Sequence, residues 1–162
     1  MKTKIFLIAL TVIGLASCDK DDAPTKDPFV DLKADAITYQ MVSQTSATTG
    51  QVRITGHIKN VGNVNFSSSL GQQVAYLSER PLGTTTETIM ASANLPAVIN
   101  AGDEITFSYV KNWDTTIEFQ NDVILRVSYD PDILVDGNAN NDDNNSTNNV
   151  MTLAGNMINS LF

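Results

Sequence analysis

The stretch Gln51-Val52-Arg53-Ile54-Thr55-Gly56-His57-Ile58-Lys59 changes character at every residue. Val52, Ile54, Gly56 and Ile58 fall on one side of an extended chain; Arg53, Thr55, His57 and Lys59 fall on the other. Successive side chains of a pleated strand leave opposite faces, so this period of two predicts a strand with one face buried and one wet. Asn60-Val61-Gly62-Asn63 follows as turn chemistry. The same pattern recurs on either side. Residues 29–40 read as a first, irregular strand. Residues 72–79 read as a third, stopped by Arg80-Pro81-Leu82-Gly83, and 85–94 as a fourth near a sheet edge, with Pro96 beyond it. After the turn Ala101-Gly102-Asp103, residues 104–110 carry Ile105, Phe107 and Tyr109 on one face. Residues 122–129 point Val123, Leu125, Val127 and Tyr129 inward and Arg126 and Ser128 outward, and 149–154 form the last strand. No amphipathic helical stripe and no fixed-period repeat is present beyond residue 18. About seven short strands with frequent turns predict one antiparallel β-sandwich.

The N-terminus carries a different signal. Lys2 and Lys4 precede an apolar run from Ile5 to Leu15, broken only by Thr11 and Gly14. That order is a secretory signal, and the run is too short to span a bilayer. Leu15-Ala16-Ser17-Cys18 resembles the lipobox of bacterial lipoproteins, in which the cysteine thiol carries the lipid and becomes the new N-terminus. The expected organisation is a signal peptide over 1–17, a lipidated Cys18 with a flexible acidic tether over 18–28, and a sandwich over 29–162. In some Gram-negative groups, acidic residues directly after the cysteine mark export to the outer surface. In others, an aspartate in the first position holds the lipoprotein at the inner membrane. Asp19-Lys20-Asp21-Asp22 is a cluster and not a lone aspartate, which favours an outer-membrane anchor with the domain facing the cell exterior.

The chain has 10 basic and 18 acidic residues, a net charge of −8. Loss of residues 1–17 removes Lys2 and Lys4 but no acid, so −8 becomes −10. Such a domain is not drawn to nucleic acid or to an anionic lipid face, and it can attract cations. Cys18 is the single cysteine. Once lipidated it leaves no thiol for a disulfide, a nucleophile or a thiolate metal site, and stability must come from the core.

Five segments in order resemble the cell-adhesion-related domain found in bacteria, CARDB. Residues 54–63 (ITGHIKNVGN) are similar to its "VKNxGN" signature. Phe29-Val30-Asp31-Leu32, with Pro28 one residue early, resembles its opening "P-D-L" strand. Val74-Ala75-Tyr76-Leu77-Ser78 resembles its "xYLS" strand, and Ile99-Asn100-Ala101-Gly102-Asp103 its "I-x-A-G" turn. Val127 to Asp132, followed by Ser146-Thr147-Asn148-Asn149, resembles its closing hairpin. Here that hairpin is longer, its acidic positions are mostly asparagine, and the family's strand-end tryptophan is absent unless Trp113 plays the part. The resemblance implies an immunoglobulin-like sandwich and extracellular adhesion or ligand contact. It carries no catalytic motif.

Residues 130–149 are the richest candidate for chemistry. Asp130, Asp132, Asp136, Asn138, Asp142 and Asp143 are oxygen donors of the kind calcium takes, and a cation would relieve their repulsion. The segment is not an EF-hand, because Ile133-Leu134-Val135 interrupts the spacing and no glutamate closes it. The alternative is a long connection whose Asp and Asn serve turns, Asp136-Gly137 above all, with Ile133 to Val135 pairing as strand. His57 is the single histidine and is expected to face solvent; neither a catalytic triad nor a zinc site can be assembled around it. Trp113 is a candidate ligand contact if exposed and a core residue if not. Asp114-Thr115-Thr116 resembles an O-glycosylation acceptor, with Thr115 the modified residue.

These features predict a non-catalytic binding module, tethered to the membrane through Cys18, that contacts an extracellular protein or glycan. The second expectation is an accessory subunit of an envelope complex, pairing through its sheet edges.

Overall fold

Among the described residues nine strands are formed: β1 (Leu32–Gln44), β2 (Thr49–Asn60), β3 (Phe66–Ser67), β4 (Gln73–Arg80), β5 (Thr88–Asn94), β6 (Val98–Ile99), β7 (Glu104–Asp114), β8 (Asp122–Tyr129) and β9 (Val150–Leu153). The structure is a computed structural model and describes residues 26–162. Cys18, the signal segment and most of the tether lie outside the described residues. β1-β2-β7 form one sheet, β5-β4-β8-β9 a second, and β3-β6 a small third; every strand pair is antiparallel. The result is an all-β antiparallel sandwich.

β2 is the centre of its sheet and alternates as its sequence requires. Gly50, Val52, Ile54, Gly56, Ile58 and Asn60 are buried, and the residues between them are not. Across the core it meets β4 and β8. A Cβ placed on Gly56 would lie 2.7 Å from Leu125 Cδ1 and 3.3 Å from Leu77 Cδ2, so the missing side chain is what lets the two sheets approach here. Ala75, Leu77, Val123, Leu125 and Val127 supply the facing half of the core.

The strand count is nine and not seven because two of the three crossovers between the sheets pair with each other. β2 leads to β4 and β5 leads to β7 past the same end of the molecule. There Phe66 faces Ile99 and Ser67 faces Val98. Two residues are too few to display a period, although both Phe66 and Ile99 are buried. β1 starts later than expected and runs further. Register shifts at Ala34/Ala36 and Met41/Ser43 explain its irregular sequence. Leu32 and Ala34 point inward before the first shift, and Ile37 and Tyr39 pack on the core after it, so the inward parity changes. β7 extends through Asp114. Its inward row is Ile105, Phe107, Tyr109, Lys111 and Trp113, and the lysine hides the pattern from a sequence reading. Lys111 is tolerated there because its Nζ pairs with the buried Glu79 of the facing sheet. Glu79 also accepts from Tyr109 Oη at 2.9 Å and Asn121 Nδ2 at 3.1 Å. Burial, with the Glu79 charge beside it, pushes the Tyr109 hydroxyl well above its usual range.

Two expectations need correction, and one element was not expected. Residues 133–135 do not pair as strand: Pro131–Leu134 form a 3-10 turn capped by Asp130, with Ile133 buried and Leu134 and Val135 exposed. Proline lacks an N–H, which suits it to the first position of such a turn. His57 is on the outer face, as its parity requires, but it is not free in solvent. It bridges β1, β2 and β7 through Thr38 Oγ1 and Glu104 Oε1, each at 2.8 Å. The chain also ends in an unexpected 3-10 segment, Gly155–Leu161, which buries Ile158 and seats Leu161 and Phe162 on the core.

Candidate functional site

Buried Asp31, Asn60, Gln73, Asn141 and Asn149 gather at the end of the sandwich where residues 26–31 arrive. Asn60 is completely buried there. Its Nδ2 donates to Val64 O and Ile99 O, both at 3.0 Å, and its Oδ1 accepts from Gly62 N at 3.0 Å. Its backbone N–H donates to Asp103 O, and its carbonyl accepts from Gly102 N. Gly102 has φ of 86°, a left-handed conformation in which glycine carries no penalty. Asn63 holds the arriving chain, accepting from Phe29 N at 2.8 Å and donating to Asp27 O at 3.0 Å. A Cβ on Gly62 would meet Phe29 O at 2.5 Å. The Asn60-Val61-Gly62-Asn63 and Ile99 to Asp103 motifs are therefore one structural joint, and each polar residue in it is consumed by the fold.

The connection between β8 and β9 packs over this joint. Its order comes from a series of Asx turns, each side chain accepting from the backbone two residues on: Asp130 from Asp132, Asp136 from Asn138, Asn138 from Asn140 and Asp143 from Asn145. The alternate spacing that resembles a ligand series is the spacing of these turns. Long-range bonds fasten the segment. Ser67 N donates to Asn140 O, Asn138 Nδ2 donates to Ser67 O, and Asn144 N donates to Val30 O. Val30 and Asp143 form an isolated parallel bridge.

Asp130, Asp132, Asp136, Asn138, Asp142 and Asp143 consequently do not assemble into one oxygen shell. Among the described residues no three His, Cys, Asp or Glu side chains come together as a metal would require. The environments of these acids also differ. The Asp130 charge raises the pKa of Asp132, and the Asn141 amide lowers that of Asp136. Burial raises that of Asp143, and Asp31 adds to the rise, while hydrogen bonds from Asn149, Asn145 and Tyr129 oppose it.

Trp113 is 2 % exposed, with Nε1 donating to Asn159 Oδ1 at 2.8 Å. It is a core residue and offers no face to a ligand, which corrects the ligand-contact expectation. Thr115 is half-buried in the turn after β7, its N–H donating to Thr48 O at 2.9 Å. Asp114 beside it accepts from both Thr116 N and Thr116 Oγ1.

The opposite end of the sandwich is built from the β1–β2, β4–β5 and β7–β8 connections. It exposes Leu82, Ile117 and Phe119, the last 63 % exposed. Leu82 and Phe119 line one shallow cleft with Ala154 and Asn156. Sequence reading did not single these residues out, because isolated apolar residues between turns carry no period. It also missed Asp31, buried at the start of the sandwich, and Asn141 and Asn149, buried within the β8–β9 connection. No protein-family model matches the sequence, and no curated protein matches it.

Proposed function

We propose that this chain is a bacterial outer-membrane lipoprotein, anchored through Cys18, whose sandwich is a non-catalytic module that binds a protein or glycan outside the cell. The observation that carries this reading is an exposed aromatic remote from the arriving chain. The chain arrives at one end, beside Asn63 and the β8–β9 connection, where the aliphatic residues Leu70, Leu134 and Val135 are exposed; the aromatic Phe119 stands exposed at the other end, with Leu82 and Ile117. A lipid on Cys18 and a short tether would turn the first end toward the membrane and the second away from it. Exposed aromatic and aliphatic groups of this kind are what an interface buries at its centre. The resemblance to CARDB agrees with an adhesive role.

Two measurements test the proposal. Cells fed an acyl-chain probe should label the full chain and fail to label Cys18→Ala. Cells displaying the chain should adhere to some members of a glycan and extracellular-protein array, and Leu82→Ser with Phe119→Ser should abolish that adhesion without altering the folded signal. Absence of acyl label removes the anchor; unchanged adhesion in the double variant removes the assigned end. The accessory-subunit reading is favoured by a different feature, the outer edge of β5, where Ile89 and Met90 are exposed beside unpaired backbone. It requires a crosslink from β5 to one envelope protein.

A further inference from the structure

We propose that the end of the sandwich where the chain arrives is a calcium-type cation site, formed by the carboxylates of Asp31 and Asp143 and the amide oxygens of Asn141, Asn148 and Asn149. This is not the set read from the sequence; only Asp143 is shared. It also stands independently of the surface assignment.

The first observation is uncompensated charge. Asp31 is 7 % exposed, and Asp143 is half-buried. The Val30–Asp143 bridge lays their two segments side by side. Among the described residues there are five ion pairs, and neither carboxylate takes part in one. Like charges taken out of water without a cation are costly.

The second observation is independent of charge. Among the described residues, three buried side-chain polar atoms lack a hydrogen-bond partner: Asn141 Oδ1, Asn148 Oδ1 and Asn149 Oδ1. Asn141 is 0 % exposed and Asn149 7 %. Each amide donates Nδ2 to a carboxylate, Asn141 to Asp136 at 2.9 Å, Asn148 to Asp31 at 2.9 Å and Asn149 to Asp143 at 2.7 Å. A buried acceptor left unpaired is costly, and all three oxygens belong to this one connection, where an electropositive group would satisfy them. Asp143 accepts three hydrogen bonds, from Tyr129 Oη, Asn149 Nδ2 and Asn145 N, and a carboxylate has room for about four.

The third observation is access. Asn141, Asp143 and Asn149 line a cleft of about 420 Å³ together with Tyr129, Asp130 and Ser146. Arg126 also lines it, but its guanidinium is paired with Glu87 at 3.0 Å. Carboxylate and amide oxygens without nitrogen or sulfur are hard donors. Calcium accepts such sets in irregular geometry, whereas magnesium demands a near-ideal octahedron. A cation here would tie the β8–β9 connection to the start of β1.

The test uses the full chain in detergent, stripped with chelator. Calcium chloride in the millimolar range should raise the melting temperature by several degrees. Terbium should give emission excited through tyrosine, displaced by calcium and lost in Tyr129→Phe. Asp143→Ala should weaken calcium binding about tenfold or more, because affinity follows the charge count of the shell. Asp132→Ala and Asp142→Ala, exposed acids of the same connection, should leave it unchanged. Asn149→Asp guards against a variant that merely fails to fold: it should tighten calcium binding if the shell exists and only destabilise the chain if it does not. No calcium-dependent shift, or binding that Asp132→Ala or Asp142→Ala removes as well as Asp143→Ala, overturns the proposal.

Discussion

Asn60 decides by itself how one end of the sandwich closes. It serves three backbone groups from two different connections through a side chain with no access to water. Asn60→Ala should therefore cost about 3 kcal/mol, the order expected when several buried partners are orphaned together. The check is a lower denaturant midpoint with an unchanged slope. Glu87 gives a pH signature at the same scale. The Ser78 hydroxyl, at 2.7 Å, and then the Arg126 charge hold its pKa below the usual carboxylate value. A depressed folded value means the stabilisation is present above the unfolded pKa, about 4.3 for Glu, and is lost as pH falls through the folded value. Acid titration of stability should show this loss in the native chain and not in Glu87→Gln. Asp143 has the opposite sign: its contribution is largest when protonated and is lost as pH rises through its raised value. Residue by residue, the candidate site was the least legible part of the sequence. Aspartate and asparagine two apart signal both ligand spacing and Asx turns, and only the fold decides between them. Asp31 lies far from Asp143 in the chain, and no local pattern links them.

At the scale of elements, legibility followed the regularity of the burial pattern. β2 was readable because no residue from Val52 to Lys59 breaks its alternation. β8 and the edge position of β5 were readable for similar reasons. β1 was blurred by a bulge that reverses parity, and β7 was cut short by Lys111, whose charge is answered only by Glu79 in the other sheet. β3, β6 and the closing 3-10 segment are too short or too irregular to carry a period. The sheet contact at Gly56 yields the prediction proper to this scale. Gly56→Ala forces a methyl against Leu125 and Leu77, and overpacking of that kind should cost about 1–3 kcal/mol. Leu125→Ala in the same chain should recover part of the loss, because it clears the nearest clash. A double-mutant cycle measures the recovery, and strict additivity would show that the sheets do not meet there.

The whole molecule has two unlike ends. One receives the N-terminal chain and concentrates buried polar groups: Asn60, Asp31, Gln73, Asn141 and Asn149. The other has the exposed aromatic Phe119, with Leu82 and Ile117, on connections between strands, whereas the apolar residues exposed at the first end, Leu70, Leu134 and Val135, are aliphatic. In the proposed arrangement, with Cys18 acylated, the acidic character of the remaining chain would keep the domain off an anionic lipid surface, and the tether would set which end looks outward. The most direct test of this arrangement uses the chain's single cysteine. Intact cells expressing Phe119→Cys are treated with a membrane-impermeant maleimide, beside cells expressing the native chain. The account predicts labelling of Phe119→Cys on intact cells and none of the native chain, whose Cys18 thiol is consumed by the lipid. Labelling of the native chain, or labelling of Phe119→Cys only after the cells are broken, would contradict it.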